Sequence, residues 1–478
     1  MLKNIIKWQA LSSVFIFVLA IIQVAALSRL LTLSDFGVVA IVMVVINVTQ
    51  VLSDLGMSNY LVYKQKISDT LNSTVFWVCF FSGLSLFIFL VAISPLIAIF
   101  YSNDSVIFLL SLAAVGFIPI SLASQMQARY ICSFRLNDIA KYDVISKLIG
   151  TLVAIVTAYK DFGASSIIYG SLASSVIRCI FIWLGANREW WPKFTFSFNN
   201  AKCAWQYGMF QVGSQSINQI RGNLDTLLLG FYIDQSALGA YSLAKQLIQK
   251  PASFILPIVH KVSLPLLASI QSNVKELRSL VNKAHSYVAI TLVLPYVLLG
   301  LLDETIVTIM YGIDNIQVSE YIIPLSIFWA SRSIGGALVG ALTQGLGKTK
   351  VDFYWNLSVS FLFSIVCILL APYGAYFVSW GLAGLQLVLL NLVYLVFYKR
   401  IVSLNYTSFI IPIVKATMVS LLSSFFAMVL ASIFVFSDSY YSYFIVVVTM
   451  SSLIYFVGCS IVYSDLIKLP NKFKLFKI

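Results

Sequence analysis

The sequence predicts an all-α polytopic membrane protein. About 14 transmembrane helices are expected, as two pseudo-symmetric six-helix lobes followed by two further helices. Three observations carry this reading. The 478 residues are 60% apolar and only 10% charged, against roughly 25% charge in soluble domains, and mean hydropathy is +0.93. The apolar residues form continuous runs of bilayer-spanning length, not the alternation of a transmembrane barrel. Short motifs from the outer hairpins of the first half recur in the second. Together these exclude a soluble enzyme, a disordered chain, a coiled coil and a disulfide scaffold.

Charged and Gly/Pro/Asn-rich punctuation separates the runs. Spans are expected near 9–31, 36–57, 74–100, 104–126, 144–160 and 163–186, then near 205–231, 236–258, 284–302, 321–346, 353–371, 374–398, 410–436 and 442–463. The first run follows Lys3 and Lys7. At about 20 residues it exceeds the roughly 7–15 residues of a signal-peptide core, so it reads as a retained helix. With both termini on one side, 26 of the 31 basic residues fall on that side, and only Arg29 and Lys160 fall opposite. The positive-inside rule makes the basic side cytoplasmic, with the N- and C-termini there. The net charge of +13 thus reads as a topology signal facing anionic headgroups, and no nucleic-acid partner is expected.

Ser34-Asp35-Phe36-Gly37 is matched 202 positions later by Ser236-Ala237-Leu238-Gly239. Phe162-Gly163-Ala164 is matched 211 positions later by Tyr373-Gly374-Ala375. The organisation this suggests is an N-terminal lobe over 1–186, a cytoplasmic linker over 187–204, a second lobe over 205–400, and two added helices with a basic tail over 401–478. The linker residues Trp190-Trp191-Pro192-Lys193 and Phe194 read as an interfacial strap. Parallel repeats of this kind place a site near the midplane in transporters.

The seventh span is the least lipid-like. Gln211, Gln215, Asn218 and Asp225 follow one another at spacings of 4, 3 and 7, which puts them on one helical face. Arg221 lies four residues before Asp225 and can pair with it. A charge at the bilayer centre costs at least roughly 2.5–3.5 kcal/mol, so these side chains are expected to face another helix or a wet cavity. The bland reading is an internal salt bridge with helix–helix hydrogen bonds. Arg332 is a second midspan cation, set in Ala330-Ser331-Arg332-Ser333-Ile334-Gly335-Gly336. Arg178 lies nearer the inner side, Lys245 toward an inner mouth and Arg29 at the outer end. Buried cations outnumber buried anions, which favours an anionic cargo, and the planar fork of Arg suits phosphate. Gln211, Gln215 and Asn218 would line the cavity, and Asp225 would orient Arg221 or carry a coupling proton.

No nucleophile–base set, P-loop or HExxH motif occurs, and the six cysteines and two histidines match no metal spacing. The expectation is therefore no enzyme, no cofactor and no metal. Asp303-Glu304 reads as part of a solvated outer loop.

Leu33-Ser34-Asp35-Phe36-Gly37, Ser53-Asp54-Leu55-Gly56-Met57-Ser58 with Thr74-Val75-Phe76-Trp77, and the block from Asn223-Leu224-Asp225-Thr226-Leu227-Leu228-Leu229-Gly230 through Leu238-Gly239-Ala240-Tyr241-Ser242-Leu243-Ala244 to Pro251, Pro257 and Pro265 resemble a known family. It is that of the bacterial polysaccharide exporters of the Wzx type, within the multidrug/oligosaccharidyl-lipid/polysaccharide superfamily, and especially its colanic-acid-exporter branch. The resemblance covers most of residues 1–400. Members often carry a basic residue after the glycine matching Gly230; here it is Phe231.

The resemblance implies a flippase in the bacterial inner membrane. Its cargo would be undecaprenyl-diphosphate-linked oligosaccharide repeat units, moved to the periplasmic leaflet for O-antigen, capsule or exopolysaccharide synthesis. A polysaccharide polymerase and a chain-length regulator would be partners beside membrane lipids. Arg221 and Arg332 are the first choices as diphosphate anchors, with Arg29, Arg178 and Lys245 second. The alternatives are a cation-coupled multidrug exporter of the same superfamily, a lipid II flippase, and a polysaccharide polymerase. A drug exporter favours buried carboxylates, and Asp225 stands almost alone. A polymerase generally works through a sizeable outer loop, and the longest outer connection, Asp303–Glu320, has no Arg, Lys or His.

Overall fold

The computed structural model describes residues 2–53, 55–57, 60–61, 68–133, 135–186, 190–270, 273–434 and 440–463. The basic tail, Lys64, Lys66 and Arg188 lie outside the described residues, as does part of the Ser53–Ser58 motif. The chain divides into two compact units, Met1–Ser242 and Leu243–Ile478.

The first unit contains α1 (Leu2–Leu27), α2 (Leu33–Gln50), α3 (Asp69–Phe100), α4 (Ser105–Ala114), α5 (Phe117–Cys132), α6 (Leu136–Tyr159), α7 (Ser165–Gly185) and α8 (Phe198–Tyr232). It also holds the start of α9 (Gln235–Ser269). The rest of α9 opens the second unit, with α10 (Val274–Leu301), α11 (Asp303–Tyr311), a 3-10 stretch (Ile313–Tyr321), α12 (Ile322–Gly336), α13 (Val339–Gly345) and α14 (Thr349–Leu370). After them come α15 (Ala375–Val393), which continues through a π turn at Tyr394–Lys399, then α16 (Tyr406–Phe434) and α17 (Tyr440–Val462). Ten spans among the described residues are long and apolar enough to cross a membrane. The spans expected near 9–31, 144–160, 205–231 and 236–258 fall on the further helices α1, α6, α8 and α9.

Two expected spans are each broken in two. The run near 104–126 bends at Val115-Gly116, just before Pro119, and the run near 321–346 bends at Ala337-Leu338, just after Gly335-Gly336. Several helices overrun the apolar limits. At 35 residues, α9 reaches about 52 Å, beyond the ~30 Å hydrocarbon core. The expected outer loop Asp303–Glu320 is folded instead, with Asp303 and Glu304 in the first turn of α11, where acids favour the helix N-terminus. Burial raises the Asp303 carboxyl above the ordinary range, while a hydrogen bond from the Glu304 backbone acts in the opposite direction. Phe89, Leu96 and Ile99 stand exposed on α3, as lipid-facing side chains do.

The repeated motifs are structural joints. Thr32 and Asp35 form a capping box at the start of α2. The other Asp35 oxygen accepts the Ala164 N–H at 3.0 Å, so the first and third outer hairpins meet. Gly163 and its repeat partner Gly374 both have positive φ, 55° and 102°, a conformation that excludes most other residues. Gly37 lies directly on the Gln235 backbone, and Gly239 on the Leu33 backbone. Leu33 and Gln235 are themselves 202 positions apart. The contact is therefore a pseudo-twofold seam in which each motif touches its own repeat. Ser34 Oγ donates to Gln235 Oε1 across it at 3.2 Å.

Candidate functional site

α8 begins at Ser197, whose side chain accepts the Asn200 N–H. Its C-terminal end is fixed against α2 and α3. Gly230 lies against Tyr101 and Ile41, the Tyr101 hydroxyl donates to the Leu227 carbonyl at 3.1 Å, and Phe231 lies 4.9 Å from Phe100. Burial pushes the Tyr101 hydroxyl up to about 12, which keeps it a neutral donor. Phe231 is thus an aromatic packing residue.

Along the predicted polar face, Gln215 and Asn218 are exposed or half-buried, and an added Cβ at Gly222 would meet nothing within 4 Å. Arg221 is half-buried, and its Nη2 donates to Asn218 Oδ1 at 3.1 Å. The Gln211 side chain lies outside the described residues. Asp225 closes the outer end of this face and is 3% exposed. Its Oδ2 accepts the Tyr241 hydroxyl at 2.6 Å, and its Oδ1 accepts the Thr226 N–H at 2.8 Å. One helix thus carries an open amide and cationic surface that ends in a buried, hydrogen-bonded carboxylate. Such a surface binds anions by charge-assisted hydrogen bonds.

The remaining candidates are dispersed. Arg178 on α7 donates to Asp143 at 2.6 Å and to Gln127 at 3.1 Å, bracing α5, α6 and α7. Arg29 is exposed in the turn before the Thr32–Asp35 box. In the second unit, Arg332 is half-buried on α12, with its guanidinium carbon 4.9 Å from the Trp329 ring centre and 5.9 Å from that of Phe328. The Ser333 and Tyr296 hydroxyls and the Trp329 indole nitrogen are buried nearby. Lys245 is half-buried on α9. Arg221, Asn218 and Asp225 are therefore gathered on one helix. Arg178 and Arg29 lie elsewhere in the first unit, and Arg332 and Lys245 belong to the second.

Sequence reasoning missed Tyr241 as the donor to Asp225, Trp329 as the platform for Arg332, and Asp143 and Gln127 as partners of Arg178. Trp329 had a local signal, three residues before Arg332 on a helix. The other pairings are long-range and had none. His285 is fully buried: its Nε2 lies 3.0 Å from the Phe409 carbonyl and its ring stacks on Phe409 at 4.6 Å.

The profile of a family described as polysaccharide biosynthesis proteins matches residues 26–319. The amylovoran biosynthesis protein AmsL of Erwinia amylovora is 33% identical over 313 residues, 65% of this chain and 80% of that protein. The lipopolysaccharide biosynthesis protein WzxC of Escherichia coli K12 is 24% identical over 408 residues, 85% of this chain and 83% of that one. Among solved structures, the lipid II flippase MurJ in an inward closed conformation superposes with a TM-score of 0.79 at 17% identity, over 96% of this chain and 99% of that one. That likeness gives a polytopic all-helical transporter fold. The chain belongs to the family of polysaccharide biosynthesis proteins, as one of its Wzx-like membrane members.

Proposed function

We propose that this protein is a flippase for undecaprenyl-diphosphate-linked oligosaccharide repeat units. It moves them by alternating access from the cytoplasmic to the periplasmic leaflet of the bacterial inner membrane, with both termini cytoplasmic, and catalyses no reaction. The observation that carries this reading is the open face of α8, where Gln215 and Asn218 stand exposed beside the half-buried Arg221 in a run expected from the sequence to cross the membrane. Polar side chains there are costly unless they serve a hydrated path or a polar cargo. Family membership supplies the polysaccharide context. The fold shared with MurJ, itself named a lipid II flippase, supports a lipid-linked cargo.

Arg221 in the first unit and Arg332 in the second are each proposed as a phosphate-binding cation, since guanidinium replaces phosphate's hydration bidentately. Arg29, Arg178 and Lys245 contribute positive potential, with Arg178 tempered by Asp143. The amides of Gln215 and Asn218 meet the sugar hydroxyls. Asp225, held by Tyr241, fixes the outer end of the face. The released units pass to a polysaccharide polymerase and its chain-length regulator.

A cation-coupled drug exporter needs a carboxylate open to cargo, whereas Asp225 is buried and hydrogen-bonded. A polymerase needs a basic outer active site, and Asp303–Glu320 carries no basic residue. The test is a deletion strain. Complete lipid-linked repeat units should accumulate on the cytoplasmic face, relieved by the wild-type gene and not by Arg221→Ala or Arg332→Ala at equal protein level. Incomplete units would indicate a glycosyltransferase. Complete units accumulating unpolymerised in the periplasm would indicate a polymerase, and either result would overturn the proposal.

A further inference from the structure

A crevice of about 310 Å3 opens between the N-terminal halves of α1 and α6. Trp8, Leu11 and Phe15 line it from α1, and Val144 and Ile145 from α6, with Lys141 at its edge. The two helices run parallel and are clamped further along. Lys147 Nζ donates to Gln23 Oε1 at 2.6 Å, and Thr151 Oγ1 donates to the same oxygen at 3.2 Å. This polar clamp closes the far end of the crevice, while its walls stay apolar and its side stays open. Trp8, Phe15 and Ile145 are each more than a third exposed. In size the crevice falls within the roughly 300–1,000 Å3 range of ligand pockets.

Its charge surroundings are specific. Asp138 and Asp143 flank Lys141 on α6, but each carboxylate is taken by an arginine, Arg135 at 2.9 Å and Arg178 at 2.6 Å. Lys141 is exposed and makes no ion pair among the described residues. Apolar walls, a Trp at the crevice and a cation at the basic side of the bilayer form the complement of a lipid: a chain below and an anionic headgroup above. The place is distinct from α8, a helix that packs on α2 and α3.

We propose that this crevice binds one anionic phospholipid of the cytoplasmic leaflet, its acyl chain between α1 and α6 and its phosphate on Lys141. The bound lipid wedges the open ends of the two helices against each other and makes the stability of the first unit depend on headgroup charge. A single lysine matches the one negative charge of a phosphodiester, whereas the diphosphate cargo is better matched by arginine forks.

The test uses the full chain purified in neutral detergent, with thermal unfolding followed as phosphatidylglycerol or phosphatidylcholine of identical chains is added. Phosphatidylglycerol should raise Tm by a few degrees more than phosphatidylcholine. Lys141→Gln, an exposed and well-tolerated change, should remove that difference and weaken phosphatidylglycerol binding about fivefold, the effect of one surface lysine. Lys160→Gln, at the far end of α6, should leave it intact. A photocrosslinking p-benzoylphenylalanine in place of Phe15 should capture phospholipid in native membranes. Equal response to both lipids, an unchanged response in Lys141→Gln, or capture of an isoprenoid lipid instead would each overturn the proposal. None of these readouts depends on cargo transport, so the flippase reading and this one fail separately.

Discussion

The seam between Leu33–Gly37 and Gln235–Gly239 and the polar face of α8 lie in the same unit and are built on opposite principles. The seam is backbone against backbone. Each glycine leaves room for the backbone at the start of the other motif, Gln235 or Leu33, and a side-chain hydrogen bond from Ser34 to Gln235 crosses the seam. The α8 face has Gln215, Asn218 and the half-buried Arg221, with open space beside Gly222. Close packing tolerates no added volume, whereas an open polar face tolerates changes of shape but not of charge. Substitutions at the seam should therefore cost stability, and substitutions on the face should cost transport.

The largest expected effect is at the seam. Gly239→Leu or Gly37→Leu drives a side chain into a backbone carbonyl, which cannot rotate away. Such overpacking costs about 3 kcal/mol, and the purified variant should show a lower Tm and less folded protein by size exclusion. A variant as stable as wild type would break the comparison. Next is Tyr241→Phe, which withdraws one donor from the buried Asp225. Hydrogen bonds to charged groups are worth about 1.5–3 kcal/mol, so Tm should fall less than for the glycine variants, with part of transport retained. The smallest effect is at Arg178. Its pair with Asp143 is about a third exposed on both sides, so either single loss should cost about 1 kcal/mol or less. The exchange Arg178→Asp with Asp143→Arg should recover stability. Recovery of stability without transport would give Arg178 a cargo role beyond bracing.

The helices were largely legible because apolar runs and charged punctuation are local signals. The 4, 3, 7 spacing on α8 needs only helical geometry; along it Gln215 and Asn218 are exposed and Asp225 is buried. Gly163 and Gly374, matched in the two motifs, share a positive φ that the sequence reading did not anticipate. What escaped was whatever depends on distant partners. Arg178 and Asp143 are 35 positions apart, and nothing in either segment announces the pair. Helix ends on the inner side were underestimated, because amphipathic extensions such as the end of α9 continue past the apolar run. The Asp303–Glu320 segment looked like a loop by polarity, yet short helical turns form there.

The most direct measurement is translocation in proteoliposomes. Undecaprenyl-diphosphate-linked oligosaccharide would be placed in one leaflet, and its arrival in the other followed with a sugar-binding protein added outside. The account predicts wild-type transfer, near-wild-type transfer for the Arg178–Asp143 exchange, and a loss of about tenfold or more for Arg221→Ala at unchanged Tm, the scale of a charge-assisted hydrogen bond. Equal transfer by Arg221→Ala and wild type would contradict the claim that the α8 face carries the cargo.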